Sequence, residues 1–252
     1  MGLIGIIGGS GFERSDIVSN VSEVRVKTPW GEPSSPLMTG EIQGVPVVML
    51  SRHGAEHRLT PSGINYRANI DALREIGCSH VLATTAVGSL REEIRRGDMV
   101  VLDQFIDFTR LRKNTFYEMF EANNPRHVSM AEPFDAALRE ALIQGCERLK
   151  LRFHPRGTVV TIEGPRFSTR AESRMFRTWG GDVINMSIAT EAALAAEAGL
   201  PYAAVGMSTD YDCWREDEET VSWDAILSVF QKNILKMNEL LTQTILLIGG
   251  KA

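Results

Sequence analysis

Seven apolar runs of strand length punctuate the chain: Leu3–Ile7, Val47–Leu50, Val81–Thr85, Met99–Leu102, Thr158–Ile162, Val183–Met186 and Tyr202–Met207. The second begins just after Pro46, whose missing N–H suits the start of a strand better than its interior. Between several of these runs the apolar positions return at helical spacing. Phe134, Leu138, Leu142 and Leu149 form one such stripe, opened by Glu132-Pro133. Glu191–Ala198 is rich in Ala and Glu and stops at Gly199 and Pro201, a helix terminus. Trp223–Leu247 is amphipathic and predicts a long closing helix. Thr109–Asn124 is polar and aromatic without a clear period, which predicts a long surface loop of the kind found at functional sites or interfaces.

Strands alternating with helices predict an α/β fold, with a mixed, largely parallel β-sheet flanked by helices on both faces. No shift in composition, Pro/Ser-rich linker or internal repeat divides the chain, so the reading is one domain over residues 1–252. With 43% hydrophobic and 23% charged residues the composition is that of a soluble, ordered protein. A net charge of −5 without a long basic run argues against nucleic acid as the main partner. No apolar stretch is long enough to span a membrane, and no basic region precedes the first apolar run as it would in a signal peptide. Cys78, Cys146 and Cys213 are odd in number and far apart, which points to reduced thiols in a cytoplasmic protein. With no CxxC pair, HExxH or Asp-rich calcium loop, a structural metal is not expected.

The first apolar run breaks into glycine, as IGIIGGSGF at Ile4–Phe12. A dinucleotide fingerprint fails on spacing, because counting from Gly9 its third glycine falls on Arg14. A Walker loop fails for want of a nearby lysine. What remains is a strand running into a turn, with backbone N–H groups and the Ser10 hydroxyl. That is either a nest for a small oxyanion or a tight turn with no ligand. Two further stretches favour the anion. SRHGAEH, Ser51–His57, offers the Arg52 fork with His53 and His57. TTAVGS, Thr84–Ser89, offers hydroxyls and small residues at a strand end, where α/β sheets bind ligands. Phosphate fits this set better than carboxylate.

The second half carries different chemistry. Phe167, beyond the Gly164-Pro165 turn, either stacks on a flat ring or packs in the core. Met186 either lies under a sugar face or fills the core, and Ser187 can hydrogen-bond a phosphate or a sugar hydroxyl. Asp210 and Asp212 flank Tyr211 at a strand end. In a partly dry pocket such a carboxyl can give a proton to a leaving group; otherwise the pair caps a helix or meets arginines.

Taken together, these blocks resemble the 5′-methylthioadenosine phosphorylase branch of the trimeric purine nucleoside phosphorylase family. The matching stretches are Gly5–Gly11, Arg52–Gly54, Asn65–Asn69, Thr84–Glu93 and Asp103–Asp107, then Met130–Phe134, Thr161–Ser173, Val183–Met186 and Thr209–Trp214. They run in order across nearly the whole chain. The resemblance implies attack of phosphate on C1′ of a purine nucleoside, with no metal or organic cofactor. The expected reaction is S-methyl-5′-thioadenosine plus phosphate to adenine plus 5-methylthioribose 1-phosphate. It also implies that Ser10, Arg52, His53, Thr85 and Ala86 hold phosphate with help from Ser187, and that Met186 meets the ribosyl group. Phe167 and Ser168 would line the base pocket, with Asp210 at purine N7 and Asp212 near the 6-amino group. Trp223, with Ile226 beside it, would stand at the 5′-substituent. His127 would reach the 5′ pocket of a neighbouring subunit, as in a homotrimer. A carboxylate suits a 6-amino purine, which presents an N–H, better than a 6-oxo purine. The alternatives are a phosphorylase preferring adenosine, methylthioinosine or 6-oxo nucleosides, a nucleosidase using water, and a non-catalytic nucleotide-binding module.

Overall fold

Leu3–Gly8 (β1) divides its side chains between two cores: Ile4 and Ile6 enter one, and Ile7 the other. Val45–Ser51 (β4) does the same, with Val47 and Met49 on the side of Ile6 and Val48 and Leu50 on the side of Ile7. Strands apolar on both faces must be covered on both. In this computed structural model, which describes residues 2–9, 17–217 and 222–251, helices do so. Tyr66–Glu75 (α1) and Ile188–Glu197 (α4) bring Ile70, Leu73, Ile188 and Ala192 to one face. Ala136–Arg148 (α2) and Trp223–Ile248 (α5) bring Leu138, Leu142, Phe230 and Leu240 to the other. Arg170–Thr178 (α3) packs Phe176 into a smaller cluster with Val160, Ile162 and Ile184. Among the described residues no helix is long and apolar enough to cross a membrane.

The strands are Ser19–Val24 (β2), Leu37–Ile42 (β3), Cys78–Ser89 (β5), Met99–Val101 (β6), Gln104–Phe108 (β7), Phe153–His154 (β8), Thr158–Ile162 (β9), Val183–Asn185 (β10) and Tyr202–Asp210 (β11), besides β1 and β4. The sheet runs β2-β3-β4-β1-β5 and then forks. β1 pairs with β5 in parallel, from Leu3 opposite Cys78 to Ile7 opposite Ala83. β10 pairs with the far end of β5, at Gly88 and Ser89. β11 runs along β5 from Val81 to Gly88. Gly88 therefore has β10 and β11 as simultaneous partners, and Val81–Ala83 have β1 and β11, so β1 and β10 share one edge of β5. On that edge Thr84–Val87 have no strand partner among the described residues. The gap between β1 and β10 on that edge is the floor of the cleft described below.

The seven predicted strands and three predicted helices all form, and three strands are clearly longer than their apolar runs suggest; β4 starts at Val45 and so takes Pro46, expected ahead of the strand, inside it. β5 continues through Ser89 and β11 through Asp210, because polar residues there are buried by the fork. TTAVGS thus forms the C-terminal half of β5, down to its last residue, and not the turn beyond it. The sequence pattern misses four strands, β2, β3, β7 and β8, most of whose residues are exposed or half-buried, and two helices, α1 and α3, the latter burying only Ser173 and Phe176. The helix α3 is marked instead by its capping box, in which Thr169 and Glu172 satisfy each other's backbone. The predicted loop at Thr109–Asn124 has no regular element, yet it is tied down. The Glu163 carboxylate accepts from the backbone N–H of Arg110 (2.7 Å) and Leu111 (3.1 Å), and Glu197 from the Thr115 hydroxyl and Phe116 N–H, both at 2.7 Å. Burial works against the Glu163 charge, but these donors outweigh it and hold its carboxyl down to about 2.

Candidate active site

A cleft of about 320 Å³ opens over the unpaired edge of β5. Arg52, His53, Thr85, Ala86 and Ser187 line it, as do Phe167, Ser168, Met186, Asp210, Asp212, Trp223 and Ile226. The structure brings all these predicted residues together from segments far apart in sequence. Ser10 lies outside the described residues. His127 does not reach the cleft: it is exposed on the long loop, its ring 5.3 Å from that of Phe120.

One end of the cleft is cationic and built by the ends of β1 and β4. Arg52 directly follows β4 and is 1% exposed. Its Nη2 donates to Glu191 Oε2 (2.9 Å), its Nε to Glu191 Oε1, and its Nη1 to Thr84 O (2.9 Å). That last bond satisfies a carbonyl on the edge of β5 that lacks a strand partner. Burial alone would lower the Arg52 pKa, but Glu191 beside it raises it, and the guanidinium stays charged. Gly9 passes so close that a Cβ there would lie 2.7 Å from both Arg52 Nη1 and Thr84 O, so no side chain fits. The glycine run is thus explained at one position by the guanidinium it must clear. His53 Nδ1 lies 2.9 Å from Leu59 O, which can only accept, so Nδ1 carries the proton. The His53 ring stacks on His57 at 4.4 Å, and His57 meets Trp223 at 5.0 Å, making an aromatic row towards the mouth.

Asn185 connects the cationic end to β10. Its Nδ2 donates to Thr85 Oγ1 (3.3 Å), and its Oδ1 accepts from Thr161 Oγ1 (2.8 Å). Ser187 is the N-cap residue of α4, yet its hydroxyl does not cap the helix. The positive end of that helix therefore points where an anion is stabilised.

The other end is acidic. A register shift between Ser208 and Asp210 sets Asp210 opposite Gly88, where any Cβ would come within 2.9 Å of Asp210 Oδ1. Asp210 Oδ2 accepts from Thr209 Oγ1 and Oδ1 from the Asp212 N–H, each at 2.8 Å. Both aspartates line the cleft with Phe167 and Ser168. Burial pushes the Asp212 carboxyl up to about 6, with the Ser173 hydroxyl pulling it back and the Asp210 charge adding to the rise.

This shift has a sign in stability. In the unfolded chain the Asp212 carboxyl returns to its ordinary 3.8, so the folded state binds this proton more tightly. The resulting stability is complete below about pH 4 and is lost as pH climbs through about 6, a change of roughly 3 kcal/mol. Asp212→Asn, neutral throughout, is expected to gain about 2–3 kcal/mol on the wild type between about pH 4 and pH 8 in urea unfolding. A gap that stays constant with pH would show that burial does not perturb this carboxyl.

The sequence reading missed Glu191 and Tyr202. Tyr202 Oη donates to Glu191 Oε2 at 2.7 Å, and both residues are buried. The available signal was the lone acid in Ile188–Ala195, a helix otherwise Ala- and Leu-rich and turned to the core. Thr84, whose hydroxyl accepts from the Gly9 N–H at 3.3 Å, was quoted within its stretch but assigned no part.

With this geometry in place, the family model described as the phosphorylase superfamily matches residues 3–246. S-methyl-5′-thioadenosine phosphorylase of Danio rerio is 52% identical over 244 residues, 96% of this chain and 87% of that one. Methylthioadenosine phosphorylase from Schistosoma mansoni, solved in complex with adenine, superposes with a TM-score of 0.94 at 41% identity, covering 100% of this chain and 93% of that one. A mutant of the adenosine/methylthioadenosine phosphorylase of the same organism, in complex with methylthioadenosine, gives 0.93 at 40% identity with coverage of 100% and 93%.

Proposed function

Because the chain belongs to the phosphorylase superfamily, we propose that it cleaves S-methyl-5′-thioadenosine with inorganic phosphate, releasing adenine and 5-methylthioribose 1-phosphate. One observation carries this reading: a single cleft offers an arginine-centred anion end and a buried acidic end, both set along one strand. Thr85 and Gly88, which mark the two ends, are about 10 Å apart along β5, room for a sugar between an anion and a base.

In this reading Arg52, His53, Thr85, Ala86 and Ser187, together with Ser10, hold the phosphate. A phosphate oxygen forms the new bond to C1′ as the bond to purine N9 breaks, its electron pair passing into the base. The phosphate charge stabilises the oxocarbenium-like sugar, and Met186 packs against the ribosyl face. Asp210 protonates or hydrogen-bonds N7, and Asp212 meets the 6-amino group, so the departing base gains a proton. Phe167 and Ser168 line the base pocket, with Trp223 and Ile226 at the 5′-substituent. The reaction uses no metal or organic cofactor; phosphate is a co-substrate. We assign the enzyme to the cytoplasm and to a homotrimer in which His127 completes a neighbour's 5′ pocket. Leu111 and Met119, 82% and 88% exposed on the long loop, support an assembly that covers them.

A second reading, adenosine as a comparable substrate, draws on Trp223, which lies against His57 and narrows the 5′ end. Turnover of methylthioadenosine, adenosine, methylthioinosine and inosine with and without phosphate tests both. Adenine release is expected to require phosphate, with inosine disfavoured by about 10²-fold or more. Release that proceeds equally well without phosphate would replace phosphorolysis by hydrolysis.

A further inference from the structure

Arg52 carries five N–H donors in a rigid fork, and this fold spends three of them on itself. Glu191 takes Nε and one Nη2 proton through its two oxygens, and Thr84 O takes one Nη1 proton. One proton on each Nη remains; Gly9 packs against Nη1, and Arg52 lines the cleft. We infer that Glu191 is the positioning residue for phosphate: it locks the Arg52 plane so that the remaining donors are held towards the reactant. The inference rests on the phosphorolysis proposed above.

Three features separate this role from ordinary packing. The carboxylate meets the fork side-on with both oxygens, a two-point contact that stops rotation about Cδ–Nε. Glu191 is itself held, since Tyr202 Oη reaches it from the start of β11. It stands in the first turn of α4, whose N-cap is Ser187, so one helix delivers both the anchor of the arginine and a hydroxyl to the same end of the cleft. A buried arginine could be neutralised by one oxygen; fixing its plane needs two.

Glu191→Gln keeps the volume but turns an NH₂ group towards Nη2 and the Tyr202 hydroxyl, which breaks the fork. Steady-state kinetics with phosphate and methylthioadenosine varied separately should show the phosphate KM rising about tenfold or more. The nucleoside KM should stay within about threefold of wild type, since the acidic end is untouched. Glu191→Asp retains the charge on a shorter arm and should recover part of the phosphate affinity. Tyr202→Phe, which loosens Glu191 without touching Arg52, should raise the phosphate KM by about threefold and decides the matter should Glu191→Gln fail to fold. A phosphate KM unchanged in a folded Glu191→Gln or in Tyr202→Phe, or both KM values rising together, would overturn the positioning role. A wild type indifferent to phosphate would instead overturn the reaction itself, so the two failures are told apart by the parent enzyme.

Discussion

Asp210→Asn is expected to lower kcat for methylthioadenosine by roughly 10²- to 10⁴-fold while the protein stays folded. The amide preserves shape and one acceptor for the Thr209 hydroxyl or the Asp212 N–H, so the β11 bulge and Gly88 contact have no reason to move. What it removes is the group that delivers or shares a proton with the leaving base. Phosphate-dependent adenine release measures the loss, and a matched thermal melt shows that it is not unfolding. Turnover within about threefold of wild type would take the departing base away from Asp210.

The second large effect is on stability. Arg52→Met leaves the Glu191 carboxylate buried with Tyr202 as its remaining partner among the bonds described, which should cost about 3–5 kcal/mol in denaturant unfolding. Removing both charges, as in Arg52→Met with Glu191→Leu, should restore most of that, because apolar replacements of a buried pair are often nearly neutral. The double variant would nonetheless be inactive, having lost the fork. A single variant within about 1 kcal/mol of wild type would show that water or another group compensates Glu191.

The apolar runs made the strands legible because β1, β4, β5 and β11 are largely buried on both faces and so each holds an unbroken apolar stretch of at least three residues. They left β2 unseen because SNVSEV lies almost wholly in solvent and is held by pairing to β3, which no local pattern records. The fork was unreadable for a related reason. Which strand flanks Thr84–Val87 depends on pairings between residues about a hundred positions apart, whereas periodicity reports only which faces are apolar. Arg52, His53 and the aspartates could be nominated from residue chemistry at strand ends. Glu191 could not, because a glutamate in an Ala-rich helix reads as solvent-facing until the helix is placed against the cationic end. Resemblance alone puts Trp223 at the 5′-substituent, and its row with His53 and His57 is visible only as three-dimensional contact.

The fork in β5 also governs the order in which a growing chain becomes safe. β1, β4 and β5 all lie within the first 89 residues and β1 pairs with both of the others, so nearly half of the sheet can assemble early. The other edge of β5 waits for Tyr202–Asp210, emerging more than a hundred residues later. Until then an apolar strand, VLATTAV at Val81–Val87, stands with its ladder groups open, the condition under which chains pair with their neighbours. The strand that brings Asp210 into the cleft therefore also closes the molecule's most adhesive edge.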